Sequence, residues 1–259
     1  FFLSESARYA DVVLPGTTWS EDEGTTTSGE GRVIKINKAI DPPGEARQDW
    51  RILQEIAARM GRGKYFQFES PGAIFDELRV ASKGGKADYF GITYEKIEKQ
   101  DGVFWPCPTE ESTGTPRLFE ERFAHDDGKA KFHAIEYKGA AEKPDEEYPL
   151  IFTSGRIVHQ YLSGNQTRRI GFLVQQCPEP FVEIHPETAM KYKINDGERV
   201  KVISRRGEGI FPALVVKTIR PDTLFVPYHW GEELAANQIT NAALDPTSKI
   251  PEFKACAAR

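Results

Sequence analysis

The chain has 259 residues, 39% hydrophobic and 28% charged, a soluble globular composition rather than a disordered, collagen-like or membrane-spanning one. Its net charge is −5, and because residues 145–259 balance 14 Lys and Arg against 14 Asp and Glu, the excess acid lies in the first 144 residues; no basic stripe marks a nucleic-acid binder. Cys107, Cys177 and Cys256 are too widely spaced for a disulfide framework or a local zinc site, and no apolar run reaches the roughly 20 residues that cross a bilayer.

This length suggests about two domains. Tyr9–Pro15 reads as a short buried strand closed by proline, the pattern of an α/β sheet. Residues 17–32, rich in Gly, Thr and Ser, read as a long loop, and Val33–Ile36 as a short edge strand. Trp50, Leu53, Ile56, Ala57 and Met60 fall on one helical face, so residues 47–60 predict an amphipathic helix stopped at Gly61. Ser70-Pro71 predicts a second helix start, an N-cap residue followed by proline, with the helix ending at Gly84-Gly85. Residues 88–143 show no sustained period and read as irregular structure with short strands; the acidic Pro144–Glu147 marks a domain boundary, giving domains 1–143 and 144–259.

Beyond the boundary the period changes. Leu150–Thr153, Phe181–Ile184, Arg199–Ser204, Ile210–Lys217 and Thr223–Pro227 read as five strands punctuated by turns, with one short helix at Pro186–Tyr192. Widely spaced strands in about 115 residues predict a closed β-barrel.

Three constellations carry chemistry. Thr153-Ser154-Gly155-Arg156 follows an apolar strand and leads to His159, Ser163-Gly164-Asn165 and Thr167-Arg168-Arg169. Glycine permits close backbone approach, hydroxyls and N–H groups cradle phosphate oxygens, and guanidinium groups bind them bidentately; a plain strand-to-turn junction with exposed arginines is the alternative. Pro227–Glu232 sets His229 among aromatics, as a hydrogen-bonded core residue or as a ligand group. From Asn237 to Lys254 runs a turn-rich tail whose amides serve a polar ligand or cap their own turns.

Together these segments resemble the carboxyl-terminal part of the molybdopterin oxidoreductases that carry two molybdopterin guanine dinucleotides. Ala10–Pro15, Glu23-Gly24-Thr25 and Glu30–Val33 are similar to that family's first signature in this region, Ile151–Arg169 to its second, and Asn241–Ala257 to its ending. The resemblance implies the end of an α/β domain over 1–143 and an all-β double-psi β-barrel domain over 144–259 that holds the pterin dinucleotides. It places Thr153, Ser154, Gly155, Arg156, His159, Thr167, Arg168, His229, Asn237 and Lys254 on cofactor-contacting positions. Two departures stand out: Ser154 replaces the usual threonine and keeps its hydroxyl, while Leu162 replaces a histidine of many members, so that pterin contact is not carried over.

The resemblance further implies a bis-molybdopterin guanine dinucleotide with molybdenum or tungsten, and a [4Fe-4S] cluster and metal-ligating residue in an upstream part outside this chain. The chain alone is then not competent for turnover, and no residue in it is assigned as acid, base, nucleophile or metal ligand. The implied partners are the remaining amino-terminal part of the catalytic subunit, an electron-transfer subunit or domain, and a small-anion substrate. Phe104–Pro108, Gly114–Phe119 and Gln160–Thr167 look most like assimilatory nitrate reductases and next like formate dehydrogenases, in the cytoplasm. A non-catalytic scaffold subunit of an electron-transfer complex is the alternative from another class.

Overall fold

The computed structural model describes residues 2–259, which cluster into two compact units, one of residues 12–134 and one of Phe2–Asp11 with Ile135–Arg259. In the first, β1 (Gly24–Thr27) and β2 (Arg32–Ile36) form an antiparallel hairpin. The β-branched run Thr25-Thr26-Thr27 favours a strand, and the Ser28–Gly31 turn closes through a Gly31 N–H to Ser28 carbonyl bond, with Gly31 at φ 90°. Residues 17–32 are therefore not one loop. Nor is β2 an edge: β3 (Val103–Phe104) pairs with its other side, making it the central strand of three.

Helix α1 (Asp49–Arg59) occupies the predicted span, yet only Ala57 is buried; Leu53 and Ile56 are exposed. Tyr9–Pro15 forms no strand. Ser6–Tyr9 is a 3-10 turn, and Val12, Val13 and Leu14 are exposed, lining a groove with Ile52 and Ile56. An interior strand needs a ladder on both sides, and here the backbone contributes only the bond from Arg47 N–H to Pro15 and the Gly16–Arg47 bridge.

Helix α2 (Pro71–Ser82) is capped by Ser70, whose hydroxyl accepts the Ala73 N–H at 3.1 Å, and buries Phe75. Helix α3 (Tyr94–Gln100) interrupts the stretch read as irregular; Thr93 caps it by accepting the Lys96 N–H at 3.0 Å, and Asp101 ends it at φ 53°. Seven residues are too few for a visible period, which is why residues 88–143 concealed it. Val33, Phe75, Ile92, Ile97, Val103 and Cys107 form the core, with Tyr89, Tyr94 and Trp105 against it.

The second unit is built on six strands. These are β4 (Leu150–Gly155), β5 (Val182–Ile184), β6 (Arg199–Ile203), β7 (Glu208–Val215), β8 (Thr223–Pro227) and β9 (Cys256–Ala258). Helix α4 (Gly171–Gln176), not anticipated from sequence, and α5 (Pro186–Tyr192), anticipated to the residue, lie between strands. The sheet order is β6-β7-β5-β8-β4-β9, with β4/β8 and β5/β7 parallel and the other pairs antiparallel. Reciprocal bonds between Ile203 and Arg259 and a Ser204–Ala258 bridge join β6 to β9. The sheet thus curls until its two edge strands meet, the barrel-like β-domain that the sequence predicts. Alternate residues point inward: Phe152, Val182, Ile184, Val202, Phe211, Leu224 and Val226 fill the interior.

A carboxylate ties the incoming chain to this closure. Glu142 accepts from Arg205 Nη1 at 2.6 Å, from Arg206 at 2.7 and 2.8 Å, and from the Ala257 N–H of β9 at 3.1 Å. Burial alone would raise the Glu142 carboxyl, but the bonds from Arg206, Arg205 and Ala257 outweigh it and hold its pKa at about 2. A depressed folded-state pKa contributes stability that is complete above the ordinary value of 4.5 and is lost as pH falls through about 2. Glu142→Gln is therefore expected to cost about 1–2 kcal/mol near neutrality and to flatten the acid loss of stability across that window. Urea unfolding as a function of pH checks this; a variant with the wild-type acid profile would dismiss the role.

Candidate functional site

Strand β4 ends at Gly155, where the candidate residues begin. Gly155 is required by packing: a Cβ there would lie 2.5 Å from Cε2 of Phe225 on β8. Thr153 pairs in register with the same Phe225 and is half-buried, while Ser154 points inward and is buried. Beyond the strand, Arg156 is exposed and donates from Nε to the Tyr228 hydroxyl at 2.7 Å. Lys254 returns from the tail to the same place. Its Nζ donates to the Ser154 carbonyl and stands 5.8 Å from the Tyr228 ring centroid and 4.9 Å from that of Phe253. Ser154, Arg156, Tyr228 and Lys254 therefore form one cluster with two cations at its surface.

The loop after Arg156 is tied at several points. Thr167 Oγ1 accepts the Tyr161 N–H at 3.0 Å and donates to Gln160 Oε1 at 2.7 Å. With its oxygen so engaged, Gln160, only 5% exposed, keeps a buried Nε2 with no acceptor, and Arg168 Nε is likewise buried and unpaired. Gly164, at φ 70°, cannot carry a side chain, since a Cβ would lie 2.7 Å from the His229 carbonyl.

Four candidates stand apart from this cluster or are engaged within the protein: Arg168, His229, Asn237 and His159. The Arg168 Nη2 donates to Glu5 at 2.5 Å and to the Ser163 carbonyl at 3.3 Å, so its charge is met within the protein. The bond from Arg168, more than any other cause, lowers the Glu5 carboxyl below its ordinary value. Arg169 stacks on the Phe2 ring at 4.3 Å, and the Asn165 amide donates to the Phe2 carbonyl at 3.1 Å, so Phe2–Asp11 clasps this loop. His229 is fully buried and presents no surface to a ligand; both ring nitrogens bond the loop. Asn237, in the turn Ala236–Gln238, is exposed, and no side-chain hydrogen bond joins it to the cluster among the described residues. His159 instead lines an apolar cleft of about 540 Å³ with Val158, Cys177, Phe181 and Leu214.

Sequence reasoning missed Gln160, Tyr228 and Glu5. A single glutamine between His159 and Tyr161 carries no signal of burial, and Glu5 is remote in sequence from the arginine it meets. Among the described residues no three His, Cys, Asp or Glu side chains come together as a metal site, and no helix is long and apolar enough to cross a membrane.

Residues 150–257 match the family described as Molydopterin dinucleotide binding domain, and residues 1–59 match Molybdopterin oxidoreductase. The assimilatory nitrate reductase catalytic subunit of Bacillus subtilis is 46% identical over all of this chain and 37% of its own length. The F420-dependent formate dehydrogenase subunit alpha of Methanocaldococcus jannaschii is 44% identical, again over the whole chain and 37% of its own length. The solved acetylene hydratase of Pelobacter acetylenicus covers the whole chain and 39% of its own with a TM-score of 0.75; at 19% identity it speaks for the fold alone. Residues 150–257 therefore belong to the molybdopterin dinucleotide-binding domains and residues 1–59 to the molybdopterin oxidoreductase domains, and the chain spans 37% of the length of the curated relatives named here.

The donor set fits such a cofactor. A dinucleotide brings phosphate charge and heterocyclic acceptors, and this surface offers Arg156, whose terminal nitrogens have no partner among the described residues, Lys254, and the buried unpaired Gln160 Nε2.

Proposed function

We propose that this chain forms the dinucleotide-holding part of a molybdenum-dependent enzyme that reduces nitrate to nitrite. The observation that carries the reading is the cationic cluster at the end of β4, with the orphaned Gln160 amide on the adjoining loop. When bound, the bis-molybdopterin guanine dinucleotide supplies the two-electron redox chemistry; the protein's share is placement and electrostatics. Arg156 and Lys254 oppose the pyrophosphate charge, the Gln160 amide donates to an acceptor on the cofactor, and Thr167 orients that amide through its oxygen. Thr153, Ser154 and Gly155 shape the strand end on which these groups stand. His159, on its apolar cleft, and Asn237, in an exposed turn, stand outside this set of groups.

Nitrate is preferred because the nitrate reductase relative is 46% identical against 44% for the formate dehydrogenase subunit, both over the whole chain. Formate oxidation is the second reading, supported by the comparable likeness to a formate dehydrogenase. Three free, buried cysteines suit a reducing compartment and support a cytoplasmic enzyme. In the intact enzyme, reduced viologen is expected to drive nitrate reduction faster than an artificial acceptor draws electrons from formate. Formate oxidation without nitrate reduction would replace the first reading by the second; neither activity in a metal-free, pterin-free sample would favour a scaffold subunit.

A further inference from the structure

His229 stands immediately after β8 and is 0% exposed. The Ile157 N–H donates to its Nε2 at 2.9 Å, so Nε2 carries the lone pair and the ring proton resides on Nδ1. That Nδ1–H donates to the Leu162 carbonyl at 2.5 Å. One ring therefore bonds two points five residues apart on the same loop, and Gly164 lies against the backbone carbonyl of the same histidine. The loop has little else to hold it by packing: Val158, Tyr161 and Leu162 are exposed, and Leu162 adopts φ 48°, a left-handed conformation unfavourable for a branched side chain.

We propose that His229 is a positioning residue, a neutral Nδ1-protonated imidazole that latches the 156–164 loop in the conformation presenting Arg156 and Gln160. The latch itself stands on the bonds above; its consequence for cofactor retention rests on the reading of this loop as dinucleotide-holding. Protonation of Nε2 would set two N–H groups against each other and break the bond from Ile157. The groups around the ring disfavour that charge. Tyr228 packs at 4.7 Å between centroids and Trp230 edge-on at 6.0 Å, Arg156 lies at the end of β4, and Arg168 lies over Gly164 with its charge met by Glu5. Burial, with a smaller contribution from Arg156, holds the imidazole below its usual 6.5 against the opposing bond to Leu162. The latch is therefore complete above the ordinary histidine value and is lost as pH falls through the lowered one.

The test is hydrogen exchange of the 156–164 segment in the intact enzyme, read by mass spectrometry and corrected for the intrinsic pH dependence, together with pterin content. His229→Ala is expected to speed exchange in this segment about tenfold near neutral pH and to lower retained pterin. His229→Gln places a carbonyl oxygen where Nε2 accepts but does not titrate; it is expected to stay within about threefold of wild type and to lack the acceleration that wild type shows as pH falls below the ordinary histidine value of 6.5. Wild-type exchange in His229→Ala would overturn the latch, as would an unchanged acid response in His229→Gln, which also decides the matter if the alanine variant does not fold. Faster exchange with full pterin content would uphold the latch and overturn the dinucleotide reading of the loop.

Discussion

Replacing Arg156 by alanine is expected to cut the pterin retained by the purified enzyme about tenfold or more. A charge-assisted hydrogen bond to a buried anion contributes about 1.5–3 kcal/mol, and each 1.4 kcal/mol is about a tenfold change in affinity. Arg156 spends only its Nε inside the protein, on the Tyr228 hydroxyl. Arg168 provides the contrast. Its guanidinium is committed to Glu5 and the Ser163 carbonyl, so Arg168→Ala is expected to loosen the clasp of Phe2–Asp11 with a smaller effect on retention. Arg156→Lys should recover part of the loss, keeping the charge while losing the planar fork and the bond to Tyr228. Release of the pterin as a fluorescent derivative measures all three; full pterin content in Arg156→Ala would remove this residue from the clamp.

The barrel was legible because its physics is local. Strands that alternate inward and outward residues and are separated by Asn-Asp-Gly or Arg-Pro-Asp turns announce themselves at period two, as β4 and β7 do. The closing strand β9 is only three residues long, and its pairing with β4 and β6 is visible only in space. In the other unit residue type and exposure do not run together. Val12, Val13 and Leu14 have the composition of a buried strand but are exposed, and α1 has an apolar face of which only Ala57 is buried. Threonine-rich β1 was concealed by flanking glycines that serve its turn.

The candidate site was legible as a segment but not as roles. Charge density singled out Arg156, Arg168 and Arg169 alike, yet the fold leaves Arg156 available, pairs Arg168 with a carboxylate and stacks Arg169 on Phe2. Gly155 suggested ligand approach, whereas its neighbour is the Phe225 ring. Both readings of His229 were open in sequence, and its full burial with two loop bonds selects the hydrogen-bonded one. Gln160 became visible only through what it lacks, an acceptor for a buried amide among the described residues, and a buried donor without a partner calls for an explanation.

The largest stability effect is expected at Lys96, where α3 carries a lysine only 8% exposed. Its ammonium donates to the carbonyls of Gly91 at 3.2 Å, Glu110 at 3.0 Å and Ser112, and lies 3.3 Å from Cys107 Sγ. Among the described residues no carboxylate hydrogen-bonds this ammonium, whose donors go to carbonyl oxygens, while the nearby Glu111 carboxyl feels its charge. Lys96→Met keeps the length of the side chain and removes all these donors. Buried acceptors left unpaired cost about 1–3 kcal/mol each, and relief of the desolvated ammonium offsets part of that, so a net loss of about 3 kcal/mol is expected. Lys96→Arg should not restore it, because a planar fork cannot point donors at carbonyls arranged around a compact ammonium. Trp19, Trp50 and Trp105, three of the four tryptophans, belong to this unit, so urea unfolding followed by tryptophan fluorescence reports on it. A midpoint unchanged in Lys96→Met, or fully recovered in Lys96→Arg, would show that the carbonyls find other donors and that Lys96 is not the staple of this loop.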